Sequence, residues 1–356
     1  MPIPGSQEIE SIDFAYFLYS FRWWFRGFFS ILILFTFKSA FLSFRWVSLL
    51  SLLVLLGVHY VIQFKMSADT MFYQPKILTL KTVGENKVDL DRLVIGIHYK
   101  DIAKAYPIQL LGYHHQVMDS IDDKEFMITY CTVCRTGRVF EPIVDGKKET
   151  FRLVGMDHYN AMFEDQRTGS WWRQVNGEAV TGKMKGHILP EYPYMQTTLR
   201  KWLEWYPTSL IMQPDITFQV EYDSLSLYES GKRKGKLTKR DLQSWKDKSW
   251  ILGLQVTGIA KAYDWNVLQK DRIIHDKIGE KAIFIVLAND VNSFAAFERN
   301  SSDEIFTVRN DTIFQDSFKY NFIGHALDST TANLKKIQAY QEYWHSWKTF
   351  HPSTLH

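Results

Sequence analysis

This 356-residue sequence predicts an α+β fold, mainly antiparallel β: two tandem pseudo-repeats of a β-rich unit with short helices, preceded by an N-terminal transmembrane helical hairpin. Three observations carry that prediction. Two apolar runs precede residue 65, the later sequence matches itself without a gap at an offset of 157, and its apolar residues mostly alternate or form short runs between turn signals. Composition agrees, with 46% hydrophobic and 23% charged residues and 42 basic against 39 acidic side chains, for a net charge of +3. These values exclude a disordered, collagen-like or disulfide-dense chain, and the near-neutral balance argues against nucleic acid as a partner.

The predicted anchor occupies residues 1–65. From Trp46 to Phe64 the sequence WVSLLSLLVLLGVHYVIQF has no Asp, Glu, Lys or Arg over 19 residues, close to the ~20 that a bilayer-spanning helix needs. Gly27 to Phe44 is a second candidate helix, with Lys38 snorkelling near one end and the interfacial stretch FRWWFR (Phe21 to Arg26) before it. An amphipathic helix lying on the membrane surface is the competing reading. Either way the lipid bilayer is a partner. The basic residues Arg22, Arg26, Lys38, Arg45 and Lys65 show no clear asymmetry, but Lys38 and Arg45 in the short turn favour a cytoplasmic turn. Everything after Lys65 then lies on the extracytoplasmic, periplasmic side.

Segment 94–141 aligns on 251–298 with thirteen of 48 positions identical, including IAKAY at Ile102 to Tyr106 and Ile259 to Tyr263. Chance does not readily produce such a run. Trp202, Trp205, Pro207 and Leu210 match Trp347, Phe350, Pro352 and Leu355, so each copy ends in W-x-x-aromatic-x-P. The expected domains are therefore a first copy with the cysteine pair at 66–210, a basic linker at 211–250 and a second copy at 251–356. VIGIHY, FMITY, RVF and IFIVLA read as strands, DDKE and VDGKK as hairpin turns, and short helices are expected near Thr197 to Tyr206 and Thr331 to Trp347. Lys232 to Lys248 holds eight basic and two acidic residues, which reads as a solvated linker or as a contact for anionic headgroups.

The repeat supplies an internal control for chemistry. Cys131 and Cys134, the two cysteines of the chain, fall opposite Ala288 and Val291, so the same turn can be built without sulfur. His114 and His115 fall opposite Asp271 and Arg272, and His158 opposite Arg309 under a gapped extension. Four readings of the C-x-x-C remain open. A disulfide would close a very small loop and gain little, and two inert buried thiols are also consistent with the sequence. A thiol-redox pair is favoured by Arg135, whose fixed charge would stabilise a thiolate. Metal binding takes the largest weight: two thiolates at a turn can hold a soft or borderline ion such as copper, zinc or iron, with His115 and His158 completing the shell. Cys131, Cys134 and Arg135 are thus the catalytic candidates, and Cys131, Cys134, His115 and His158 the candidate metal ligands.

No P-loop, G-x-G-x-x-G, G-x-S-x-G or H-E-x-x-H is present. GMDHYNAMFEDQRTGSWWRQ is dense in polar side chains; Asp165 and Arg167 read as a surface ion pair beside a turn, and Trp171 and Trp172 as core on alternating faces, with at most one exposed to a ligand.

The blocks KAYPIQLLGYHHQVMDS, ITYCTVCRTGRVF, GMDHYNAMFEDQRTGSWWRQVNGEAVTGKMKGHIL and TTLRKWLEWYPTS resemble the bacterial and archaeal family called domain of unknown function 3179. Its hallmark resembles T-Y-C-x-x-C-x-T-G followed by W-x-Q-x-x-G-x-A-x-x-G, and the resemblance covers about 90–350. It implies that Tyr130, Cys131, Cys134, Thr136 and Gly137 form the family's cysteine block, and that His115 stands where relatives have His before Glu, with Gln116 replacing that Glu here. It also implies an exported or membrane-anchored protein, but no reaction. Relatives with an opening similar to Pro4 to Tyr19 carry a further hydrophobic segment ahead of it. Two functions are expected to compete: a metal or redox site in the first copy, and a non-catalytic module that presents Trp and Tyr surfaces to a glycan, lipid or protein, with incidental cysteines.

Overall fold

The computed structural model describes residues 8–75 and 77–356, so the Pro4 to Gln7 start of the opening motif lies outside the described residues. The protein is α+β with mostly antiparallel sheets, behind one long N-terminal apolar helical run. Helix Ile12–Ser20 precedes that run, Arg22–Phe64, which holds no buried residue and is long and apolar enough to cross a membrane. Phe44 interrupts it with non-helical angles (φ −143°, ψ 64°), and Arg26 Nη2 donates to Gln63 Oε1 at 2.5 Å.

The chain divides into two compact units. The first takes the residues up to Tyr73 together with Glu149–Arg173 and Glu178–Ile188. Its antiparallel sheet runs Ala179–Thr181, Trp171–Arg173, Asn160–Asp165, Phe151–Asp157 in spatial order. Met162, Trp171 and Val180 form its core, covered by Ile12, Ala15, Tyr16 and Tyr19 of the first helix, with Tyr16 edge-on to Trp171 at 5.2 Å. Both Trp171 and Trp172 are buried. The expected surface pair of Asp165 and Arg167 is not what forms. Asp165 is fully buried and accepts from the Thr168 and Ser170 amides and from Trp172 Nε1, while Arg167 pairs with Glu149 at 3.2 Å. A short carboxylate that can cap its own turn satisfies several backbone donors at once, which a surface ion pair would not do.

The second unit comprises Gln74–Lys148, Gln174–Gly177 and Leu189–His356. In its first half, strands Leu93–Tyr99 and Ile102–Pro107 pair as a hairpin, helix Ile108–His114 follows, and strands Gln116–Ile121, Lys124–Cys131 and Thr136–Phe140 form a three-stranded meander. In the second half, Trp250–Val256, Ile259–Asp264, helix Trp265–Asp271, Ile273–Ile278, Lys281–Leu287 and Phe294–Glu298 follow the same order. Met127 faces Phe140 in the first meander as Phe284 faces Phe297 in the second. Each helix ends on a left-handed residue, His115 (φ 61°) and Arg272 (φ 67°).

Each half closes on a strand and helix: Met195–Thr198 with Leu199–Trp205, and Ala339–Tyr343 with Trp344–Phe350. A Cβ added to Gly96 would lie 2.4 Å from the Trp202 ring, and one added to Gly253 2.2 Å from Trp347. Only glycine lets these indoles lie flat on the hairpin strands. Trp202 Nε1 then donates to Ser209 Oγ and Trp347 Nε1 to Thr354 Oγ1, both at 2.8 Å.

Two segments differ from expectation. The helix placed over Thr331 to Trp347 is mostly strand, Lys336–Ile337 and Ala339–Tyr343, with the helix beginning only at Trp344. Ala339–Tyr343 is buried at every position and pairs along Trp250–Leu254, which fixes it as a strand covered on both faces. The stretch 211–250 is also structured. Leu210–Met212 adds parallel to Ile102–Pro107, helix Gln219–Ser224 follows, and Tyr222, Leu225, Tyr228 and Glu229 are buried.

Candidate functional site

Cys131 ends the strand Lys124–Cys131 and pairs with Thr136, which leaves Thr132 to Arg135 as the turn and puts Arg135 in the left-handed region (φ 59°). Three consecutive carbonyls of this turn are held from outside the first half's meander. Tyr228 Oη donates to Thr132 O at 2.9 Å, Lys248 Nζ to Val133 O at 2.7 Å and the Tyr343 amide to Cys134 O at 3.0 Å. A turn with three of its carbonyls committed in this way has little freedom to move its side chains.

Both cysteines are thiols and both are buried. Cys134 exchanges hydrogen bonds with Cys131 and with Ser346 and lies in the field of Glu342. Burial, followed by the Cys131 contact, pushes the Cys134 thiol well above its ordinary range, so it rests protonated. The charges around the pair are placed with care. Arg138 Nη2 donates to Glu342 Oε1 at 2.5 Å, Glu342 Oε2 accepts from Ser346 Oγ at 3.0 Å, and Arg138 Nε donates to Val175 O at 2.8 Å. Arg135 is directed elsewhere: Nε donates to Gln341 Oε1, Nη2 to Glu229 O, and the guanidinium lies 3.8 Å from the Trp250 ring centroid. Lys248, half-buried, places its Nζ on Val133 O between the two cysteines; burial pulls it down to about 8, against the upward pull of Cys134 and Cys131.

Not all the predicted ligands meet. His115 is buried, its Nδ1 3.0 Å from Tyr130 O, and burial draws it down to about 4, so its imidazole is neutral. His158 belongs to the first compact unit, where its Nδ1 lies 2.7 Å from Asp157 Oδ1. Among the described residues, no group of three His, Cys, Asp or Glu side chains is assembled as a metal-holding set. Arg135 adjoins the pair in sequence but turns its charge toward Trp250 and Gln341.

Sequence reasoning missed Lys248, Tyr228, Glu342 and Ser346. Lys248 was read within the basic linker. Glu342 had a signal: at the offset that superposes the two W-x-x-aromatic-x-P ends it replaces Thr197, an acid where the other copy has a hydroxyl. The counterpart turn in the second half is held differently. Thr198 Oγ1 donates to Asp290 Oδ2 at 2.8 Å, and Thr197 and Ser293 share a hydroxyl contact at 2.6 Å.

The model of the protein family of unknown function DUF3179 matches residues 73–354, most of the chain. The chain belongs to the DUF3179 family. No curated protein and no solved structure matches it. Membership places the C-x-x-C turn and its enclosing second half within one DUF3179 region.

Proposed function

We propose that this DUF3179 chain is a membrane-anchored, extracytoplasmic protein whose working groups are the paired thiols of Cys131 and Cys134. The second half is the scaffold that closes over them. One observation carries this reading: the equivalent turn of the second half has Ala288 and Val291 in place of sulfur and is held by Asp290 with Thr198 instead. If the halves descend from one duplicated unit, as their matching element order and register support, the backbone does not require the thiols.

The pair can act as a two-electron centre. Two S–H bonds break, one S–S bond forms, and two electrons and two protons pass to a disulfide acceptor. The test uses the full chain in detergent with oxidised and then reduced dithiothreitol as the partner, followed by intact mass. The expected result is loss and recovery of two hydrogens in the folded chain; thiols that stay inert until the chain unfolds would contradict it.

For the anchor, the break at Phe44 and the Arg26 to Gln63 bond support a hairpin, since a straight helix would hold residues 37 apart about 55 Å from each other. Lys38 and Arg45 beside the break favour a cytoplasmic turn.

A second reading, a binding module, has one observation on its side. A cleft of about 800 Å³ in the second half is lined by Lys281, Glu298, Asn300, Phe318, Asn333 and Lys335, a mixture suited to a polar ligand.

A further inference from the structure

The donor set at the C-x-x-C turn limits what it can hold. A tetrahedral divalent ion needs four ligands, and among the described residues no third His, Cys, Asp or Glu joins the two sulfurs as a metal-holding group. The nearby Glu342 already places one oxygen on Arg138 and the other on Ser346. Two thiolates alone suit a soft ion that accepts low coordination, and soft sulfur ligands select monovalent copper.

Charge points the same way. Two thiolates around a univalent cation leave one negative charge, which is costly in a buried site without a counter-ion. Lys248 supplies that counter-ion, with its Nζ fixed at 2.7 Å on Val133 O between the two cysteines. Extended three residues ahead of the aligned segments, the 157-residue offset sets Lys248 opposite the exposed Asp91, which leads into the first half.

We infer that Cys131 and Cys134 bind one soft, two-coordinate monovalent cation of the cuprous class, with Lys248 as its charge-balancing residue. This rests on the reading of the thiol pair as the working centre. Binding breaks two S–H bonds, forms two sulfur–metal bonds and releases two protons to solvent, with no change of oxidation state.

The test is a titration of the reduced full chain in detergent against Cu(I) held by the chromophoric chelator bicinchoninate, with Zn(II) and a zinc indicator in parallel. The expected result is one Cu(I) per chain, abolished in Cys131→Ser and in Cys134→Ser. Lys248→Met should weaken binding at least tenfold and Lys248→Arg keep it within about threefold, each variant first shown by its melting curve to be folded. Zn(II) should not be retained. Copper binding that survives either serine substitution, indifference to Lys248→Met, or equal retention of zinc would each overturn the inference. Failure to withdraw Cu(I) while both thiols cycle with dithiothreitol overturns the metal and leaves the thiol centre standing; failure of both removes both.

Discussion

Glu229 shows how one residue in a stretch read as linker is drawn into the fold. Its side chain is buried, its Oε2 accepts the Leu93 amide at 3.3 Å, and Arg92 stands 3.6 Å away. Burial, opposed by Arg92, lifts its carboxyl to about 7. The folded chain therefore holds this proton more tightly than the unfolded chain. The stabilisation is fully present below the unfolded value near 4.5 and is lost as pH rises through about 7. The expected outcome is a wild type that loses about 3 kcal/mol between pH 4.5 and 8 through this group, and a Glu229→Gln variant with a flatter profile, both read from denaturation midpoints across that range. Equal slopes for the two proteins would remove Glu229 as the cause. None of this is legible in the sequence, where Glu229 sits in SLYESGKRKGK beside a run of lysines; the Leu93 amide and Arg92 that meet its carboxylate lie far away along the chain.

At the scale of elements, the strands were the readable part. VIGIHY and FMITY lie within Leu93–Tyr99 and Lys124–Cys131, because short apolar runs between turn residues leave few alternatives. The strand Ala339–Tyr343 was hidden by the tryptophans that follow it, whose spacing suits the helix Trp344–Phe350 and pulls the expected helix too far upstream. Glycines set against indoles make a specific prediction. Gly253→Ala should cost about 2–3 kcal/mol through displacement of Trp347, measured by chemical denaturation, whereas Gly84→Ala, with open space around it, should cost little. Arg138 and Glu342 form a buried ion pair between the two halves. Arg138→Met alone should lose about 3–5 kcal/mol because it strands a buried carboxylate, and Arg138→Met with Glu342→Met should recover much of that loss. A double variant no better than the single one would show that the guanidinium's bonds to Val175 and Gly137, not the pair, carry the stability.

At the scale of the whole molecule, two features define the account: an apolar N-terminal run with no buried residue, and a β-rich region whose second half holds a turn of the first. A reporter fused after His356 should be active in the periplasm, and activity in the cytoplasm would reverse the orientation. The place of the cysteines was legible from their spacing and from the missing sulfur in the matching segment. Their surroundings were not, because Lys248, Glu342 and Ser346 reach the turn only through long-range folding, more than a hundred residues along the chain. The central claim is that sulfur is present for chemistry and not to hold the backbone. Its most direct measurement is the melting curve of the full chain carrying Cys131→Ala and Cys134→Val, the residues that occupy the equivalent turn. The account predicts a cooperative transition within about 5 °C of wild type, since near-isosteric swaps cost about 1 kcal/mol. Loss of cooperative unfolding, or a chain that no longer folds, would contradict it and make the two thiols part of the core.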